Sequence, residues 1–151
     1  MKIGLAADHG GFELKLVLKK FLEEKSFEIV DYGNITYDAK DDYPDFAASL
    51  SKAIVKKEVE RGILICGSGV GACVAANKFK GVRAAICHDA YSAHQGVEHD
   101  DMNILCLGAR VVGVELTKEL VTEFVNAKFN EGDRFERRLK KVIQFEDDFG
   151  K

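Results

Sequence analysis

A doubly wound α/β domain built on a five-stranded parallel sheet is the fold class this sequence predicts. Three observations carry the prediction. Five short apolar runs alternate with segments of helical periodicity along the whole chain. The connections between them are too short for anything but right-handed crossovers, which makes the strands parallel and puts helices on both faces. The central run, Ile63-Leu64-Ile65, has no polar alternation, as expected of a strand covered on both sides, and leads into the turn Gly67-Ser68-Gly69-Val70-Gly71.

The first strand is expected over residues 2–7, with Asp8-His9-Gly10-Gly11 at its carboxyl end. A helix follows, with Leu14, Val17, Leu18, Phe21 and Leu22 on its apolar face. Lys15, Lys19, Lys20, Glu23 and Glu24 are assigned to its wet side. Residues 27–31 read as a short second strand, and residues 32–42 as a polar loop over the sheet edge. Pro44, the one proline, pushes Tyr43 toward an extended conformation and opens a helix that buries Phe46, Leu50, Ala53 and Ile54. The third strand ends at Cys66. Gly67, Gly69 and Gly71 remove side chains from the turn beyond it, and small residues from Ala72 to Ala76 continue into a helix.

Residues 82–88 read as the fourth strand, followed by a helix from about Ala90 to the Glu98-His99-Asp100-Asp101 run. The fifth strand covers residues 104–108 and delivers Ala109-Arg110. A helix with Leu116, Leu120, Val121, Phe124 and Val125 comes next, and Asn130-Glu131-Gly132-Asp133 breaks it. The last segment, residues 134–149, reads as a charged terminal helix that cannot bury itself alone. It is expected to pack on another surface, such as a second subunit.

The chain has 151 residues, of which 46% are hydrophobic, enough for a core in one domain spanning residues 1–151. A net charge of −3, with acids and bases mixed along the chain, argues against a nucleic-acid-binding role. No apolar run reaches membrane-spanning length, and Met1-Lys2 leads straight into strand-like sequence rather than a signal peptide. Cys66, Cys73, Cys87 and Cys106 form no Cys-x-x-Cys pair and fit reduced thiols in a cytoplasmic protein. Cys87-His88-Asp89 is no metal site on a strand, where neighbouring side chains alternate between faces. No metal is expected.

Parallel strands gather Asp8-His9, Cys66 with its glycine turn, His88-Asp89 and Arg110 on one rim, where open α/β sheets bind ligands. The turn lacks the Gly-x-x-x-x-Gly-Lys pattern of a phosphate-binding P-loop. Its Gly-x-Gly-x-Gly spacing only approaches a dinucleotide fingerprint, with Asp89 as the candidate ribose acid, and a turn with no ligand is also open. The preferred reading is a turn whose amides bind a small anion or oxyanion beside the Cys66 thiol. Each residue also has a plainer reading. Cys66 can be a small buried hydrophobe, Asp8 a helix cap, and His9 and His99 surface residues. Arg134 and Arg138, four apart on one helix face, form either a solvated stripe or a phosphate clamp. His99 precedes the fifth strand and reaches the rim only if the helix end folds back or a partner presents it.

Six segments together resemble the ribose-5-phosphate isomerase B / galactose-6-phosphate isomerase family. They are residues 8–15 (DHGGFELK), 42–46 (DYPDF), 61–71 (RGILICGSGVG), 75–78 (AANK), 81–85 (GVRAA) and 107–110 (LGAR). The resemblance implies a Rossmann-like or flavodoxin-like fold, a homodimer or dimer of dimers with the active site shared between subunits, and no cofactor. It implies a sugar-phosphate aldose–ketose isomerase, an intramolecular oxidoreductase of carbohydrate metabolism and the pentose phosphate pathway. Ribose 5-phosphate and ribulose 5-phosphate are the expected pair. The alternatives are a 6-phosphohexose (allose or galactose 6-phosphate), or a non-catalytic module that binds a sugar phosphate or nucleotide.

By the same resemblance, Cys66 takes the proton and residues 67–71 (Gly67, Ser68, Gly69, Val70 and Gly71) hold the enediolate oxygen. Asp8 and a partner's copy of His99 assist ring opening. His9, Arg110, Arg134 and Arg138 hold the phosphate, and Tyr43 and Asp100 complete the substrate-binding set. One branch of the family uses a glutamate where this chain has Ala72. Two departures stand out. Asp100 occupies the place of the family's usual asparagine, so an acceptor replaces a group that can donate to a sugar oxygen. Phe135 stands where the family often has histidine.

Overall fold

A computed structural model describes residues 1–150. It contains five strands, β1 (Lys2–Ala7), β2 (Glu28–Asp31), β3 (Arg61–Cys66), β4 (Ala84–Ile86) and β5 (Ile104–Gly108). Six helices accompany them: α1 (Phe12–Glu24), α2 (Tyr43–Val55), α3 (Val70–Ala76), α4 (Ala90–Asp100), α5 (Val114–Asn126) and α6 (Asp133–Phe149). All four strand pairings are parallel, in the order β2-β1-β3-β5-β4. The predicted fold class is therefore the observed one. The strand order was not legible in the sequence, because β5 inserts between β3 and β4.

One face of the sheet is covered by α1, α4 and α5, around Leu18, Leu22, Leu120 and Phe124. The other is covered by α2 and α3, around Leu50, Ala53 and Ala76. Ile63 and Ile65 of β3 face the first layer, and Leu64 and Cys66 the second. The unbroken apolar run of β3 is thus explained by burial on both faces. Each fully buried aliphatic or aromatic side chain of these layers contributes roughly 1.5–3 kcal/mol. No helix among the described residues is long and apolar enough to cross a membrane.

Four local expectations are corrected. Lys15, assigned to the wet side of α1, is 0% exposed. It lies three residues before Leu18 and seven before Leu22, inside the buried arc, and its ammonium finds Asp31 and the Asn34 carbonyl. Val17 and Leu116, assigned to apolar faces, are each 38% exposed, and Thr117 takes the inner position on α5. The fourth strand is three residues long rather than seven. It is a sheet edge, and the α3 end supplies its outer partners. Asn77 Oδ1 accepts from the Ala84 amide (2.9 Å) and its NH₂ donates to the Ala84 carbonyl (2.8 Å), as a neighbouring strand would. The terminal helix, α6, has no buried residue and leaves Val142, Phe145 and Phe149 exposed.

Candidate active site

From β1 the chain runs to β2 on one side, then crosses back to β3 on the other. The carboxyl ends of β1 and β3 therefore diverge into a crevice, the place where open α/β sheets bind ligands. Asp8 follows the last residue of β1, and Cys66 is the last residue of β3. The turn after Cys66 depends on glycine at Gly69, whose φ of 84° is left-handed and whose added Cβ would lie 3.1 Å from the Leu107 carbonyl carbon.

That turn brings the Gly69 amide to within 3.0 Å of Cys66 Sγ, to which it donates. The Ser68 and Gly71 amides make no hydrogen bond to the described residues. Gly71 lies in the first turn of α3, where amides have no intrahelical acceptor. Two unused donors and a buried sulfur therefore share one turn.

Around the turn is a cavity of about 320 Å³. Asp8 forms one wall, Tyr43 from the start of α2 another, and Arg110 and Val111 from beyond β5 a third. Two side chains reach close over the glycines. The Tyr43 ring approaches Gly71 so closely that a Cβ there would meet it at 2.6 Å, and the Arg110 guanidinium lies 3.5 Å from the position of a Cβ on Gly67. The volume suits a small, highly functionalised ligand.

Burial pushes the Asp8 carboxyl above the usual carboxylate range, against the pull of His9 and the Gly11 and Gly10 amides. The pKa of His9 is raised as well. Its Nδ1 lies 2.7 Å from Asp41 Oδ1, and that hydrogen bond raises the imidazole pKa. Burial opposes ionisation of Asp41, but hydrogen bonds from the His9 amide, the His9 ring and Asn34 outweigh it and hold the carboxyl low. One polar atom of each of Asp8, His9 and Asp41 lies within 4.8 Å of the other two.

The thiol with the lowered pKa is Cys73, outside the cavity. Its contact with Cys106, the Ile86 amide and Asn77 bring it down to about 7 against the effect of burial. His88 and Asp89 have local duties. His88 Nε2 accepts the Gly108 amide at 3.1 Å, and Asp89 caps α4 by accepting the Ser92 amide at 2.8 Å.

The remaining candidates are not brought to Cys66 within one chain. His99 and Asp100 end α4, at the amino ends of the strands, roughly 17 Å of strand away from the Cys66 rim. His99 Nδ1 lies 2.7 Å from Gln95 Nε2, and its ring stacks on Phe135 at 4.4 Å between centroids. The Arg134 guanidinium lies 5.9 Å from the centre of the Phe135 ring, and both Arg134 and Arg138 are exposed on α6. Asp8, Tyr43, Cys66, the turn and Arg110 thus form one cluster, and His99, Phe135 and Arg134 another. Asp41, Asn34 and Gln95 were missed in the sequence. Asp41 and Asn34 sit in an irregular loop with no periodicity, and Gln95 on a helix face gave no signal.

Residues 3–142 match the Ribose/Galactose Isomerase family. The chain is 41% identical over 145 residues to the ribose-5-phosphate isomerase B of Escherichia coli, covering 96% of each chain. It is 37% identical over 146 residues to a D-erythrulose-4-phosphate isomerase of Pectobacterium atrosepticum, covering 97% of this chain and 95% of that one. It also superposes, with a TM-score of 0.91 and 43% identity, on the crystal structure of Mycoplasma genitalium ribose-5-phosphate isomerase B with bound ribulose-5-phosphate, covering 97% and 96% of the two chains. With the fold and nearly the whole length in common, the chain belongs to the ribose/galactose isomerase family.

Proposed function

We propose that this protein is an aldose–ketose isomerase that interconverts ribose 5-phosphate and ribulose 5-phosphate through an enediolate. The observation that carries the reading is Cys66 Sγ, held by the Gly69 amide beside the unused Ser68 and Gly71 amides in a small crevice. Moving a proton between adjacent carbons needs a base and donors for the oxyanion that develops. Cys66 takes the proton from C2 of the open-chain aldose and returns it at C1. The amides of residues 67–71 stabilise the enediolate oxygen. Asp8, whose burial favours its protonated form, shares the ring-opening proton with His99. His9 and Arg110 bind the phosphate, and Tyr43 closes the crevice.

His99, Arg134 and Arg138 enter from a second copy of the chain in this reading. Their distance from Cys66 within one protomer and the bare apolar residues of α6 support it. We further read the chain as one domain, acting in the cytoplasm, where a reducing environment suits its four free cysteines. Replacing Cys66 by Ala tests the base. The kcat on ribose 5-phosphate should fall by about 10²-fold to 10⁴-fold with the thermal midpoint nearly kept, and retained turnover refutes the assignment.

A second substrate reading is favoured by Asp100, which cannot donate to a sugar hydroxyl when ionised. The kcat/KM values on ribose 5-phosphate, allose 6-phosphate, galactose 6-phosphate and erythrulose 4-phosphate decide between them. A pentose preference upholds the proposal. A preference for another sugar that Asp100→Asn converts to pentose makes Asp100 the specificity residue.

A further inference from the structure

His9 stands at the end of a continuous run of hydrogen bonds that begins under α1. Lys15 is completely buried, and its ammonium donates to Asp31 Oδ1 at 2.7 Å and to the Asn34 carbonyl at 2.5 Å. The Asn34 amide is bound to the Ala7 carbonyl at 2.8 Å, which ties the loop to the end of β1. The Asn34 side chain donates to Asp41 Oδ2. Asp41 Oδ1 then accepts twice from His9, from its amide at 2.9 Å and from its ring at 2.7 Å. The Asp41 side chain is 9% exposed and that of His9 is 34% exposed, so the run goes from the core to the rim.

Asp41 is an acceptor only, so the ring nitrogen facing it, Nδ1, carries a proton. Nε2 has no hydrogen-bond partner among the described residues and is the ring's remaining donor. Neither Lys15, Asn34 nor Asp41 lines the cavity at Cys66. Burying a lysine is costly unless it is paired, and this one spends its pairing on the loop that carries Asp41.

We propose that Asp41 is a positioning residue for phosphate binding: it fixes the His9 ring through two hydrogen bonds and keeps it cationic, so that Nε2–H meets the substrate phosphate. The proposal rests on the phosphate role of His9 given above. Asn34 and Lys15 act one step further back by holding Asp41. The charges around His9 agree in sign. Asp41 faces it from the loop and Asp8 from the end of β1, while Glu13 of α1 lines the same groove as the ring. Arg110, beyond β5, is the opposing charge on the rim it shares with Asp8. An arriving phosphate anion adds to the same bias.

The test is Asp41→Asn, which keeps the acceptor oxygen and removes the charge. Two quantities are followed from about pH 6 to about pH 9, the range in which an imidazole changes charge. They are the His9 ring titration by NMR without substrate and the KM and kcat for ribose 5-phosphate. In the native protein, His9 should titrate above the ordinary histidine value. In Asp41→Asn its midpoint should fall by about one unit, the rise of KM at alkaline pH should move down with it, and KM should change more than kcat. An ordinary His9 midpoint in the native protein overturns the proposal even if the variant does not fold. So does an Asp41→Asn variant with unchanged titration and KM profile while His9→Gln raises KM. A KM that His9→Gln leaves untouched instead refutes the phosphate role of His9 itself.

Discussion

Lys15 shows how position and residue type can disagree. Its place on the helix wheel pointed inward and its charge pointed outward, and the fold resolved the conflict by supplying Asp31 and a carbonyl inside. Replacing it with alanine strands Asp31 against the sheet, and chemical denaturation should show a loss of about 3–5 kcal/mol, the usual cost of breaking a buried pair. Asp8 carries the opposite tension. Its folded pKa lies above the unfolded value, so the folded state binds the proton more tightly, and Asp8 subtracts stability as pH rises through that interval and remains destabilising above it. Asp8→Asn should therefore raise the thermal midpoint at neutral pH while slowing turnover, and a lowered midpoint would contradict this account of its burial. Cys66 and Asp8 were legible because one ends a strand and the other directly follows one. Asp41 was not, since its partner His9 is 32 residues away and only the folded loop joins them.

Among elements, β3, its turn and α3 were readable as a unit, since the apolar run, the glycines and the small residues are contiguous. Gly69 is the position where the backbone itself demands glycine. Gly69→Ala should destabilise by about 1–2 kcal/mol from the left-handed conformation alone, and should lower kcat by displacing the amide that faces Cys66. The brevity of β4 was not readable, because its residues are as apolar as those of the inner strands. What limits it is the absence of a second strand beside it, a gap that Asn77 fills with one side-chain amide. Asn77→Ala should cost roughly 1 kcal/mol and expose an edge capable of pairing with another chain, seen as faster aggregation at unchanged secondary structure. If aggregation is unaffected, the edge is protected by something other than Asn77.

For the whole molecule, the alternation of strands and helices determined the class, and the class placed the crevice. It did not determine the order of the sheet, since both β4 and β5 are apolar and either could have followed β3. Nor could periodicity show that the His99 end and the Cys66 end lie on opposite rims, a consequence of α4 running antiparallel to the strands. If the two rims are completed by a partner copy, mixing an inactive Cys66→Ala chain with an inactive His99→Ala chain should recover part of the native rate, because some mixed dimers hold one intact site. No recovery at any ratio would place the whole site within one chain.

The order β2-β1-β3-β5-β4 also governs when the protein can become itself during synthesis. The ribosome delivers β4 before β5, yet β4 pairs only with β5. A nascent chain ending before Ile104 therefore has β3 paired on one side only, with β4 lacking its neighbour and Cys66 without the strand that will flank it. Domains generally complete as units once their last required segment emerges, and long-range parallel pairing is slow. The Cys66 thiol is thus open to modification for the time it takes the last third of the chain to be made. A stalled chain cut just before Ile104 should accordingly label at Cys66 with a thiol reagent faster than one released with β5 in place.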